Sequence, residues 1–201
     1  MELLSGISKF FVRDYLINRP KLLQVRPDVE KALQFYQKHV LDCNDELEPI
    51  LDQYHFPSRL PFWKWELFAA ILMGDVCRSY TNEGADLMNH EVKSRLNKCS
   101  FEYQYHKNSW RQKLAKEPTL RHVYISYWPG FRNLDVRTVE GHLLEHHFKS
   151  WEPELIEAYE NGKPRQRFRR RIPFKEVLEK GHLHLRIRNG KPVNTDPLLI
   201  Y

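Results

Sequence analysis

The segment His142-Leu-Leu-Glu145-His146 places two imidazoles and a carboxylate within five residues. On a helix His142 and His146 would sit one turn apart on one face. That spacing lets two ring nitrogens share a metal ion while the carboxylate activates a water. A second pattern follows a little further on. "KPRQRFRRR" (163–171) holds six basic residues in nine, and the planar guanidinium of Arg makes bidentate contacts with phosphate. Scattered carboxylates such as Asp75, Glu83 and Asp86 could assemble a nuclease site with a Lys, although their spacing does not single them out. Other catalytic spellings are absent: there is no G-x-S-x-G, no Gly-rich phosphate loop and no C-x-x-C.

"GHLLEHHFK" (141–149) resembles the H-x-x-E-H helix of inverted zinc peptidases. The resemblance implies His142 and His146 as zinc ligands and Glu145 as the water-activating base. Glu176 and Glu179 are the downstream acids available as a third ligand. "HLHLRIRNGKPVN" (182–194) resembles the closing strand of LytM-type zinc peptidases. The overlapping stretch "LDVRTVEGHL" (134–143) resembles instead the recognition-helix segment of LuxR-type and related helix-turn-helix domains. That resemblance implies a helix capped by Asp135, with Arg137, Thr138 and Gly141 on the face that enters the major groove. The two readings of residues 137–147 exclude one another, and the basic surroundings favour the second, with no metal site.

Those surroundings are a matter of charge. Residues 1–100 carry 13 Lys/Arg against 14 Asp/Glu, whereas residues 101–201 carry 19 against 12, and this accounts for the whole formal charge of +6. A basic half joined to a neutral half points to a polyanionic partner for the former. The 201 residues are 41% apolar and 29% charged, a globular balance. No apolar run is long enough for a membrane span, the N-terminus does not read as a secretion signal, and Cys43, Cys77 and Cys99 fit no disulfide framework. The expected location is therefore the cytoplasm or nucleoid/nucleus, in reduced form, with no cofactor.

The elements that would position these residues read as mostly α, α+β overall. Apolar spacing predicts helices over 7–17 and 29–40, a short helix from Asn44 to Tyr54, a central buried helix over 61–80, and polar helices near 85–98 and 103–115. After Pro118, "LRHVYISYW" (120–128) reads as a strand, and helices follow over 135–149, 153–159 and 173–180. Asn189-Gly190 predicts a terminal hairpin. The resulting expectation is an N-terminal helical bundle (1–117) for dimerisation or partner binding, followed by a basic region (118–201) resembling a winged helix. Its function would be non-catalytic binding of nucleic acid, duplex DNA ahead of RNA or single strands. Arg137, Thr138 and Lys149 would lie on the groove helix. Lys163, Arg165, Arg167, Arg169, Arg170 and Arg171 would grip phosphate, and Arg186, Arg188 and Lys191 would form the wing. The other classes open are a protein-assembly factor and a zinc hydrolase using His142, Glu145 and His146.

Overall fold

The computed structural model describes residues 25–43, 45–46, 53, 62–77, 86–161 and 167–195. The expected helix over 7–17, most of that over 44–54, and Lys163 and Arg165 lie outside these residues. Helix α1 (Val29–Tyr36) is capped by Asp28, whose side chain accepts from the Lys31 amide at 2.8 Å, and it continues as a π turn through Gln37–Asp42. Helix α2 (Phe62–Met73) buries Trp65, Phe68, Ala69 and Leu72. Its sequence predicts burial all round, yet Phe62, Trp63 and Leu67 are exposed on its other side.

From residue 90 onward the chain is built largely on strands. In order come β1 (His90–Leu96), β2 (Phe101–His106), α3 (Trp110–Lys116) with a 3-10 turn at Glu117–Thr119, β3 (Arg121–Tyr127) and β4 (Leu134–Glu140). A 3-10 turn (Gly141–Leu144) leads into α4 (Glu145–Ile156), then β5 (Arg167–Ile172), α5 (Phe174–Lys180), β6 (His182–Arg188) and β7 (Lys191–Thr195). The described residues therefore form an α+β structure with seven strands in two sheets, and the expectation of a mostly helical bundle followed by a winged helix is corrected.

Three local readings change with it. The expected recognition helix 134–143 is strand β4 and the turn after it. Leu134, Val136, Thr138 and Val139 are all buried, because β4 is paired on both sides, to β3 and β6, and covered on both faces. A strand of that kind loses its two-residue alternation and mimics other patterns. The expected helix near 85–98 is β1, and the first part of that near 103–115 is β2, whose Phe101, Tyr103 and Tyr105 point inward while Glu102 and Gln104 are partly exposed. The strand over 120–128, the helix ending at Gly181 and the Asn189-Gly190 hairpin are present as read. Asn189 and Gly190 both take positive φ (52° and 78°), as a two-residue hairpin turn of this hand requires.

The larger sheet runs β1-β3-β4-β6-β7, with β1 parallel to β3 and the other pairs antiparallel, and β2 pairs with β5 as a separate two-stranded ribbon. One face of the sheet (Val123, Ile125, Val136, Leu185, Ile187) packs on α1 and α2. The other face (Tyr124, Val139) packs on the ribbon and on α3, α4 and α5 through Tyr103, Phe148, Trp151 and Val177. Alternate residues of β1 therefore belong to different layers: Val92 joins the first core, and Glu91 and Lys93 point the other way. Among the described residues no helix is long and apolar enough to cross a membrane.

Candidate active site

Glu91 and Lys93 share one side of β1 because residues two apart on a strand do. Glu91 has no exposed surface, and its Oε1 accepts from Lys93 Nζ at 2.5 Å and from Lys113 Nζ, on α3, at 2.7 Å. Asp86, four residues of lead-in earlier, is latched to the same strand. Its Oδ2 accepts the Val92 amide at 2.9 Å and lies 3.7 Å from Lys93 Nζ, and its own amide donates to Glu91 Oε2 at 3.3 Å. The Asp86 side chain is 24% exposed, against 14% for Lys93 and 17% for Lys113, so the cluster reaches water at that end. Glu66 on α2, which packs against β1, feels the charges of Asp86, Lys93 and Glu91.

The electrostatics divide these acids. Burial opposes ionisation of Glu91, but the two ammonium groups outweigh it and hold its carboxyl down at about 2. Burial also opposes the charge on Lys93, and Glu91 and Asp86 again outweigh it, so the ammonium is held more firmly than usual. Burial, then the neighbouring Glu91 charge, raises Asp86. Burial, then Asp86, pushes Glu66 up to about 7. Glu117, in the turn after α3, is pushed up to about 8 by burial and then by Glu91, so near neutral pH it is a carboxylic acid. Among the described residues neither of its buried oxygens has a hydrogen-bond partner.

Behind Glu117 runs a chain of rings. His122 Nε2 lies 2.9 Å from the Glu117 carbonyl oxygen and must be the protonated nitrogen, since a carbonyl only accepts. Burial keeps the ring neutral, pulling its pKa down to about 4, so Nδ1 is an acceptor. The Tyr103 hydroxyl, 2.7 Å away, therefore donates to Nδ1, and the Tyr124 hydroxyl, also at 2.7 Å, donates to Tyr103. Lys93 Nζ stands 5.2 Å from the centre of the Tyr103 ring, a cation–π contact that ties this chain to the carboxylate–lysine cluster.

The neutral Glu117 gives a testable pH dependence. Its folded pKa lies above the value for an unfolded chain, so the native state holds the extra proton and stability falls as pH rises from about 4.3 through about 8. Glu117→Gln keeps the shape and removes the titration. Its melting temperature is expected to match wild type at pH 5 and to exceed it by several degrees at pH 9, read by calorimetry. A constant difference across that range would contradict this assignment.

The described residues expected to bind nucleic acid are spread over β4, α4, β5, β6 and β7. Arg137 lies on β4, half-buried, donating to the Gly181 carbonyl at 3.2 Å, and Thr138 is buried against His184 Nε2 at 2.7 Å, so neither stands on a groove-reading helix face. Asp135 does not cap a helix; it holds Arg186 (Nη2 at 2.8 Å) and Arg188 (Nη2 at 2.7 Å), and Arg188 also covers Trp128. Lys149 is exposed on α4, 3.1 Å from Glu145, and Lys191 is exposed at the start of β7. Arg167, Arg169 and Arg171 point outward from β5, but Arg169 and Arg171 pair with Glu102, and Arg170 pairs with Glu154 and lies over Phe168. The structure thus gathers Arg167, Arg169, Arg170 and Arg171 on one strand and Arg186 with Arg188 on one carboxylate. His142 lies on the 3-10 turn ahead of α4, so it is not one helical turn from His146 as the zinc-peptidase spacing needs.

Of the scattered carboxylates, Asp86 falls in the cluster, Asp75 instead caps the Val76 and Asn89 amides and holds His90 Nδ1 at 2.6 Å, and Glu83 lies outside the described residues. Sequence reasoning misses Glu91, Lys93, Lys113 and Glu117. The one signal is the same-parity pair Glu91-x-Lys93 in "HEVKSRL", which is visible only once the segment is taken as a strand. No model of a known protein family matches the chain, and no curated protein matches it.

Proposed function

We propose that this chain is a divalent-metal-dependent nuclease, in which Asp86, Glu91 and Lys93 form the reacting centre and the basic half holds the nucleic acid. The observation that supports this most is the juxtaposition of Asp86 and Glu91 with Lys93 at a water-accessible point of an otherwise buried cluster. Mg2+ and Mn2+ take oxygen ligands and keep several waters, so Asp86, at the exposed end, and Glu91 would be their protein ligands here. A bound cation lowers the pKa of its water and offsets charge on the phosphate oxygens. In the hydrolysis the water oxygen bonds to phosphorus and gives up a proton, the bond from phosphorus to the leaving sugar oxygen breaks, and that oxygen takes up a proton, so one water is added across the bond. Lys93 would stabilise the charge that develops on the phosphate. Glu66, on α2, feels the charges of Asp86, Lys93 and Glu91. Lys93 and Lys113 both lie on one oxygen of Glu91 and already compensate its charge, so a metal ion held here would have to replace part of their role.

Duplex DNA is the expected substrate, with RNA and single-stranded DNA as comparisons. The test is incubation of the purified chain with labelled duplex, single-stranded DNA and RNA in Mg2+, in Mn2+ and in excess EDTA. Cleavage in either metal and none in EDTA is the expected result; intact substrates in every condition would remove the reading.

Affinity can be probed separately from cleavage. Replacing Arg167, Arg169, Arg170 and Arg171 together with Gln is expected to weaken binding for all sequences alike. The slope of log affinity against log salt should flatten by about 0.9 for each phosphate that is no longer neutralised, measured by fluorescence anisotropy in Ca2+ or EDTA. An unchanged slope would show that β5 does not face the phosphates.

A further inference from the structure

The histidines that open α4 carry a separate observation. His146 Nε2 lies 3.2 Å from Glu176 Oε1, and His147 Nε2 lies 2.6 Å from Glu176 Oε2, with Glu176 in the first turn of α5. The ligand atoms of the three residues all fall within 4.8 Å of one another. Neighbouring residues on a helix point about 100° apart, and here the carboxylate lies between them, one oxygen to each ring. The two rings are 4.2 Å apart, and that of His147 packs against Trp151 at 5.7 Å, which fixes its orientation. Bonds of about 2.0–2.1 Å in a tetrahedral site set ligand atoms about 3.3 Å apart, so the two short contacts need open by less than about an ångström. His142, the residue that the sequence pattern pairs with His146, is not in this group.

We propose that His146, His147 and Glu176 bind a transition-metal ion of the Zn2+ class, at a site separate from the carboxylate–lysine cluster. Two imidazoles and one carboxylate suit Zn2+, Co2+ or Ni2+, whereas Mg2+ prefers oxygen alone. Lys180 Nζ donates to Glu176 Oε1 at 2.7 Å and to the Leu143 carbonyl at 2.9 Å, so it can yield the carboxylate oxygen and keep a partner. His147 and Glu176 are half-buried and His146 is exposed, which leaves the remaining coordination positions to water. The ion would fasten the start of α4 to α5.

The experiment is a Co2+ titration of the full chain carrying Asp86→Asn, which disables the proposed reacting centre, followed by visible absorption and by competition with Zn2+ and with excess Mg2+. One equivalent of Co2+ with a d–d band, displaced by Zn2+ and not by Mg2+, is expected. His147→Ala and Glu176→Gln should each weaken binding at least about 10-fold, and so should His146→Ala, whose exposed position leaves folding intact. No band, or equal affinity in a folded His146→Ala/His147→Ala double variant, would overturn the assignment. The readout does not depend on cleavage, so it stands or falls apart from the nuclease reading.

Discussion

Asp86→Asn is expected to lower metal-dependent cleavage of DNA by about 1,000-fold or more, about 4 kcal/mol of transition-state stabilisation, while leaving the melting temperature close to that of wild type. The choice of residue matters, because Glu91 is the more obvious target and the less informative one. Glu91 has no exposed surface and sits against two ammonium groups. Neutralising it leaves both cations facing an amide in the interior, and breaking a buried pair in this way costs about 3–5 kcal/mol. Loss of cleavage in Glu91→Gln would then mix chemistry with unfolding. Asp86 is a quarter exposed, and Lys93 retains Glu91 as its principal partner when Asp86 is neutral. Lys93→Met serves as the second variant, since Lys113 continues to compensate Glu91. Initial rates on a labelled duplex in Mg2+, with melting curves alongside, decide the matter. A folded Asp86→Asn protein that cuts at the wild-type rate would remove Asp86 from the reacting centre.

How far this site was legible in the sequence depended on how charge is distributed along β1. Sequence periodicity finds elements through apolar residues, and "HEVKSRL" has Glu91 and Lys93 turned inward while Arg95 is exposed. Glu91 and Lys93 satisfy each other across two residues, so the side of β1 that carries them reads as polar, and the segment passes for a solvated helix. β4 fails for the opposite reason: both of its faces are covered, so its alternation disappears and the run from Val136 to Phe148 imitates a helical stripe. Elements whose start and stop depend on local chemistry were readable. Asn189-Gly190 specifies its hairpin through positive φ, and α5 ends at Gly181. The pairing of β1 with β3, which brings Lys113 and Glu117 to Glu91, depends on contacts between distant parts of the chain and has no local mark. The arginines show the same limit. Their number was plain, but Asp135, Glu102 and Glu154 take up Arg186, Arg188, Arg169, Arg170 and Arg171, and only the structure shows which cations already have partners.

Gly141→Ala is expected to destabilise the fold by roughly 3 kcal/mol or more, which at about 2–4 °C per kcal/mol for a chain of this size is a large fall in melting temperature. A Cβ at this position would stand 2.2 Å from the Glu117 carbonyl oxygen, 2.6 Å from that of Leu120 and 2.9 Å from the Pro118 carbonyl carbon. All three are backbone atoms, so no side chain can turn aside. The close approach is held by the Gly141 amide, which donates to the Leu120 oxygen at 2.8 Å. Relief therefore requires the end of β4 and the 117–120 turn to separate. That turn also carries Glu117, and its carbonyl accepts the hydrogen bond from His122 Nε2 that orders the Tyr103–Tyr124 chain. The substitution should thus lower cleavage as well as stability, although Gly141 bears no reactive group. Leu143→Ala, two residues on and 40% exposed, is the matched control and should stay within about 0.5 kcal/mol of wild type, as surface changes do. Thermal denaturation of the two variants side by side separates the readings. If Gly141→Ala melts with its control, the two turns do not pack as closely as described, and the anchoring of Glu117 behind the site falls with them.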